Sequence, residues 1–195
     1  MKSARPIERA DILLTDAVMR IISGHCGGRT IVPPKNLRAR PTTDFAKENL
    51  FNVLGNIVDF EDIEVLDLFA GTGSISYEFA SRGAKAVTSV EINAVHYNFI
   101  RSTAAAFGLG NIHPVKANVF LYLKSCGKRF DVIFSDAPYD LEGSERVVDE
   151  VFERDLLKDG GILIFEHSKS KNFGSHPNFR QLRSYGSVQF SIFGK

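Results

Sequence analysis

Four consecutive residues, Asp136-Ala137-Pro138-Tyr139, follow the apolar run Phe130-Asp131-Val132-Ile133-Phe134-Ser135. Their types fit one piece of chemistry, the activation of an exocyclic amine on a nucleobase. Such an amine is a weak nucleophile because its lone pair is delocalised into the ring. Acceptors on its two hydrogens draw the nitrogen toward tetrahedral geometry and release the lone pair. Asp136 offers one acceptor and the Ala137 carbonyl a second. Pro138 disfavours a helical conformation at Ala137 and so fixes where that carbonyl points. Tyr139 supplies a flat face on which an extruded base can stack. Positioning of this kind supplies much of the acceleration, and Asp136 can take the proton released. The same residue types are common in plain turns, so the reading depends on what stands beside them.

A glycine pattern stands beside them. Val65-Leu66-Asp67-Leu68-Phe69-Ala70-Gly71-Thr72-Gly73 is an apolar strand that opens into a loop, and a helix pattern starts at Ser74. Glycine lets the chain turn sharply and lets a ligand approach the backbone. The helix start presents free N–H groups and partial positive charge, which suit a carboxylate. Glu91, at the end of the next strand pattern, is placed to accept bonds from two ribose hydroxyls. Asp67 is costly inside a strand unless paired; a ligand ammonium or the loop backbone would satisfy it. Asn118, at the end of the third strand pattern, offers a donor and an acceptor to an adenine edge. Ser76 stands where the third glycine of a dinucleotide fingerprint would be, so the glycines alone leave NAD as a competitor. The amine-activating tetrapeptide decides between them: a nucleoside cofactor beside an activated amine implies methyl transfer from S-adenosylmethionine.

The elements that must position these residues alternate. Strands over 65–69, 86–92, 112–117, 131–135 and 161–165 are separated by helices over about 74–82, 94–107, 120–124 and 145–152. This alternation predicts an α/β fold with a parallel sheet covered on both faces. Segments 179–185 and 188–193 flank Gly186 and read as an antiparallel C-terminal hairpin. Before the sheet, Arg20-Ile21-Ile22-Ser23 and Arg29-Thr30-Ile31-Val32 read as a second hairpin, ended by Pro33-Pro34. A helix carrying Phe45, Leu50, Phe51 and Leu54 follows, capped by Thr42 or Thr43. Residues 1–18 show no period and are expected to be a flexible extension. The domain reading is therefore 19–60 for the hairpin and helix and 61–195 for the cofactor-binding domain.

Composition narrows the class. The 195 residues are 44% apolar and 24% charged, ordinary for a soluble domain. No run is long enough to span a bilayer, and charges at Lys2, Arg5, Glu8 and Arg9 leave no signal-peptide core. The chain reads as cytoplasmic. Cys26 and Cys126 are isolated, and His25, His96, His113 and His176 have no metal-ligand spacing, so no metal is expected. The net charge of +1 hides basic ends: residues 1–41 hold eight Lys or Arg against three acids, and residues 167–195 hold five against none. Such ends attract a polyanion. Arg20, Arg29, Lys35, Arg38 and Arg40, with no acid among them, are the candidate phosphate contacts. Glu166-His167 closes the fifth strand at the same edge, where the His reads as a solvated or hydrogen-bonded residue.

From Met19 nearly to its end the chain resembles the RsmD-type family, the 16S ribosomal RNA guanine-N2 methyltransferases. The resemblance is carried by Arg20-Ile21-Ile22-Ser23-Gly24, Gly28-Arg29, Arg40-Pro41-Thr42-Thr43-Asp44, Glu48-Asn49-Leu50-Phe51-Asn52 and the cofactor loop Leu66 to Gly73. It implies a Rossmann-like class I methyltransferase fold with seven strands. It implies S-adenosylmethionine held by Asp67, Phe69, Gly71, Gly73, Glu91 and Asn118, and a guanine of 16S ribosomal RNA or the small ribosomal subunit as substrate. There are departures. Ala137 replaces the first of the family's two usual prolines, and Phe45 and Lys47 stand where the family often has arginines. Two other readings compete. A DNA adenine-N6 or cytosine-N4 methyltransferase uses a similar acceptor motif, but this chain has no room for a DNA target-recognition domain. A non-catalytic RNA-binding relative would not need Asp136, Pro138 and Tyr139.

Overall fold

The computed structural model describes residues 18–34, 37 and 44–195. Nine strands and five helices follow in the order β1 (Met19–Arg20), β2 (Thr30–Ile31), α1 (Asp44–Leu54), β3 (Glu64–Leu68), α2 (Ser74–Ser81), β4 (Ala86–Glu91), α3 (Ala94–Phe107), β5 (Ile112–Lys116), α4 (Val119–Ser125), β6 (Phe130–Ser135), α5 (Arg146–Glu153), β7 (Leu157–His167), β8 (Phe179–Tyr185) and β9 (Val188–Gly194). Seven of the strands form one sheet in the order β5-β4-β3-β6-β7-β9-β8. Its first five strands are parallel and its last two pairings antiparallel. This is the sheet that the alternating pattern predicts, and the strand order reverses between β3 and β6.

Alternation along the strands divides the core in two. Val65, Val87, Val132, Phe134 and Ile164 face α1, α2 and α3. Leu66, Leu68, Val90, Ile133 and Leu163 face α4 and α5. Period-two placement of apolar residues on two opposed faces is what a doubly covered sheet requires. The helix boundaries follow local chemistry. The Asn93 side chain accepts from the Val95 and His96 N–H groups at the start of α3, and Gly108 ends it with φ of 69°.

The short hairpin β1–β2 does not stand apart. Met19, Ile21, Cys26 and Ile31 are buried in the same cluster as Leu50, Phe51 and Leu54 of α1 and the sheet residues beneath them. The expectation for residues 1–18 falls, apart from Val18, outside the described residues, as do the Thr42 and Thr43 caps.

Candidate functional site

The turn after β3 is built from the strand beside it. The Ala70 N–H donates to the Val90 carbonyl at 3.0 Å, and the Gly73 N–H closes the turn on the Ala70 carbonyl at 2.7 Å. Phe69 adopts φ of 59°, a left-handed conformation unusual for a non-glycine residue. Strain of this kind persists only where the surroundings enforce it. Gly73 has φ of 85° and a close neighbour: a Cβ there would lie 2.8 Å from the Tyr77 ring. Glycine is required at this position on both counts.

Glu91 is buried at the end of β4, and its two carboxylate oxygens hold the loop. One accepts the Gly71 N–H at 2.8 Å and the other the Asn93 N–H at 2.7 Å. Each oxygen has a second lone pair to offer a ligand hydroxyl. Glu91 therefore couples the shape of the loop to the group it would hold. The start of α2 fits an anionic group as well: its N-cap, Gly73, makes no side-chain capping bond.

Asp67 lies deeper than its place among the expected cofactor residues requires. It is 1% exposed, beneath the loop, and accepts both the Ser76 hydroxyl and the Ser76 backbone N–H. Ser76 in turn shares a 2.6 Å bond with the Ser89 hydroxyl of β4. Within the protein its partners are thus on α2, at Ser76, rather than on the loop backbone. Burial pushes the Asp67 carboxyl up to about 7, against the pull of the Ser76 bonds and with a smaller push from Glu91. Ser76, where a third fingerprint glycine is absent, is thus the partner of the buried acid. Asn118 is also partly committed. It caps α4, its side-chain oxygen accepting the Leu121 N–H at 3.2 Å, which leaves its amide nitrogen as the freer group. Phe69 packs edge-on against Phe120 of α4, with ring centres 6.4 Å apart.

The tetrapeptide ends the strand adjacent to this loop. Leu68 pairs with Ser135 in the parallel ladder, and the Asp136 N–H donates to the Leu68 carbonyl at 3.4 Å. Asp136 is half-buried and Ala137 buried, while Pro138 and Tyr139 are exposed. A turn follows, in which the Leu141 N–H bonds the Pro138 carbonyl at 3.0 Å. The Tyr139 hydroxyl donates to Glu166 at the end of β7, 3.2 Å away. His167, next in line, is fixed between the Ser168 carbonyl and the Ser191 hydroxyl, each at 2.8 Å, and burial holds its pKa below the ordinary value. That is the hydrogen-bonded role expected for it.

The hairpin grips α2 along its whole length. At the loop end, the Thr72 hydroxyl meets the Met19 sulfur, and the Lys47 ammonium bridges the Arg20 carbonyl at 2.5 Å and the Ser74 hydroxyl at 3.2 Å. At mid-helix, the buried Glu78 accepts the Ile22 and Ser23 N–H groups at 2.7 and 3.1 Å and pairs with Arg82 at 2.8 Å. At the far end, the Ser81 carbonyl takes the His25 N–H and its hydroxyl takes that of Cys26. Packing is tight enough there that a Cβ on Gly24 would overlap the Ser81 carbonyl. Burial depresses the Lys47 pKa, while Glu78 and Asp44 oppose the shift. Lys47, Glu78 and Ser81 were not singled out as structural partners in the sequence. The signal that could have found them was α2 itself, buried on every side, where a charge must find a partner.

The basic residues divide. Arg20 is exposed near the loop end and pairs with Asp44 at 3.5 Å. Arg29 lies over the Phe107 ring at 4.6 Å, with its guanidinium 3.4 Å from the Phe107 carbonyl. Phe107 ends α3, and helices between parallel strands run back toward the strand starts. Arg29 is therefore at the opposite edge of the sheet from the glycine loop, apart from Arg20. Lys35, Arg38 and Arg40 lie outside the described residues.

Residues 19–194 match the family described as Conserved hypothetical protein 95. A relative from Escherichia coli (strain K12), named Ribosomal RNA small subunit methyltransferase D, is 30% identical over 90% of this chain and 89% of its own. A protein of the same name from Buchnera aphidicola subsp. Baizongia pistaciae is 30% identical over 79% of this chain and 78% of its own. The solved structure of a hypothetical protein from Thermus thermophilus superposes with a TM-score of 0.78, at 26% identity, over 90% of this chain and 98% of that one.

Proposed function

The chain belongs to the Conserved hypothetical protein 95 family, the RsmD-type family of the sequence resemblance, and on that premise we propose that it methylates the N2 amine of a guanine in small-subunit ribosomal RNA. The observation that carries this reading is the contact between the two motifs. The Asp136 backbone N–H donates to the Leu68 carbonyl at 3.4 Å, so the residue that carries the acceptor carboxylate is held beside the strand end from which the glycine loop departs. This is the strand-order reversal at the carboxyl edge of the sheet, where open α/β folds bind ligands.

S-adenosylmethionine, when bound, would supply the methyl group, giving up its methyl C–S bond as the N–C bond to the base forms. Glu91 accepts the ribose hydroxyls on its remaining lone pairs, and Gly71 and Gly73 let the backbone approach. The start of α2 faces the carboxylate. Asn118 turns its amide to the adenine, and Phe69 lines the same loop. Asp67 joins β3 to α2 beneath the loop. On the substrate side, Asp136 and the Ala137 carbonyl accept the two amine hydrogens, Pro138 fixes that carbonyl, and Tyr139 stacks on the extruded base. Asp136 or solvent takes the proton released. Arg20, with Lys35, Arg38 and Arg40 in the sequence between β2 and α1, contacts RNA phosphates. Arg29 is left out, because its guanidinium is engaged at Phe107. The segment 19–60 acts as the RNA-facing appendage of the 61–195 domain.

The test is incubation with labelled methyl donor and either undermethylated small ribosomal subunits or DNA, followed by mass spectrometry of the nucleosides. N2-methylguanosine in the RNA is expected, and its loss in Asp136→Ala with cofactor affinity kept. Label found as N6-methyladenine or N4-methylcytosine in DNA, with none in RNA, sinks the proposal.

A further inference from the structure

We infer that Glu166 reads the ring N1–H of the target base and so makes the site select guanine among amino-bearing bases. The inference rests on the guanine-N2 reading above. That reading leaves one thing unexplained: an amine with two hydrogens is common to guanine, adenine and cytosine. Acceptors for those hydrogens, at Asp136 and Ala137, do not distinguish the three. What sets guanine apart is a further donor beside the amine, the N1–H. Adenine and cytosine carry a ring-nitrogen lone pair at the corresponding place. A reader of guanine is therefore an acceptor-only group next to the amine site.

Glu166 meets that description. It is 5% exposed, a carboxylate at the carboxyl end of β7 that the amine-activating mechanism does not use. Ser135 and Phe165 are paired in the parallel ladder between β6 and β7, so Asp136, the first residue past β6, follows beside Glu166 of β7. Strand spacing is about 4.8 Å, which brings the two backbones close together at the edge of the sheet. The side chain of Glu166 is directed at the site, since it accepts the Tyr139 hydroxyl at 3.2 Å. Ala137, Tyr139 and Glu166 line one cavity of about 10 Å³, room for a single water at most. Tyr139, 42% exposed, thus covers Glu166 with a hydroxyl donor. An incoming guanine presents its N1–H to the same carboxylate as the tyrosine swings out to stack on the ring. A base with a lone pair at that position would face the carboxylate with no proton between them, the kind of mismatch that polar sites reject strongly.

The probe is 2-aminopurine, which keeps the N2 amine and lacks the N1–H. The methylated position is first located in subunit RNA by mass spectrometry. Synthetic RNAs carrying guanine or 2-aminopurine there are then compared by kcat/KM. Wild type should prefer guanine by at least about a hundredfold. Glu166→Gln presents either a donor or an acceptor by turning its amide, so this preference should fall to within about tenfold, with S-adenosylmethionine affinity unchanged. Tyr139→Phe keeps the ring and the carboxylate and should keep the preference. The inference is overturned if wild type accepts both bases equally, which needs no variant. It is also overturned if Glu166→Gln slows both substrates by the same factor, the mark of a structural role, or if Tyr139→Phe loses the preference. If wild type methylates no guanine amine at all, the function reading itself has failed and the inference goes with it.

Discussion

The buried acid beneath the cofactor loop makes a quantitative claim about pH. Asp67 is fully enclosed, and burial raises its carboxyl from the ordinary 3.8 to about 7, with the Ser76 bonds opposing and Glu91 adding a little. A group whose folded pKa lies above its unfolded value contributes stability that is fully present below the unfolded pKa. That contribution is lost as pH rises through about 7. The shift is roughly three units, and each unit is worth about 1.36 kcal/mol. The raised pKa of Asp67 thus costs the fold about 1.7 kcal/mol near pH 5, where the group is held protonated, and about 4.3 kcal/mol near pH 8, where it is ionised, as upper figures. Asp67→Asn removes the charge and keeps an oxygen to accept from Ser76. Apart from a constant offset, the variant should gain about 3 kcal/mol on the parent across that range. Urea unfolding at several pH values reads this directly: at a slope of about 2 kcal/mol/M, the midpoint difference widens by roughly 1.5 M. A difference between variant and parent that stays flat with pH would show that Asp67 is not held as a strained acid.

Three further outcomes follow from the same geometry. Glu91→Gln turns one acceptor into a donor facing an N–H, so S-adenosylmethionine affinity should fall about tenfold to a hundredfold in calorimetry; an unchanged affinity removes Glu91 from the site. Glu78→Ala leaves Arg82 and two hairpin N–H groups without their partner, and thermal unfolding should register a loss of about 3–5 kcal/mol; a neutral result would mean the hairpin is not latched there. Arg20→Glu should weaken RNA binding and lower its salt dependence, whereas Arg29→Glu should cost stability at the Phe107 contact and leave RNA affinity within about twofold. Equal losses of RNA affinity in the two variants would restore Arg29 to the RNA face.

The parallel sheet was legible because its signal is local and repeated. Short apolar runs such as Val65–Leu68 and Val132–Phe134 alternate with helix patterns, and helix ends carry Gly83 and Gly108. The structure moves boundaries by a residue or two, as at β3, which starts at Glu64. β7 is the larger difference: it begins at Leu157, four residues before the expected start. The intervening Lys158-Asp159-Gly160 reads as a turn, but a register shift in the β6–β7 pairing absorbs it. The candidate site was legible for a related reason. Asp136 and Gly71 end strands whose order follows from the fold class, so the positions of the motifs in the chain imply their meeting at one edge.

What was not legible lies where one partner is a backbone group. Glu78 holds the N–H groups of Ile22 and Ser23, Ser81 holds those of His25 and Cys26, and Lys47 holds the Arg20 carbonyl. Every residue but proline offers the same N–H, so no residue type in the hairpin announces these bonds. A pattern-based division at residue 60 therefore separates the hairpin from the very helix it grips. Arg29 shows the same limit. Its charge suggested a phosphate, while its position was decided by the end of α3, where an aromatic face and a carbonyl both attract a cation. Charge in a sequence says what a residue can attract; which partner it meets is set by the backbone that carries it. In this protein that backbone is clamped along α2, the helix whose first turn borders the cofactor loop. The hairpin and the loop are consequently tied through Met19, Lys47 and Ser74, so under the proposed function a group held at one would act on the other.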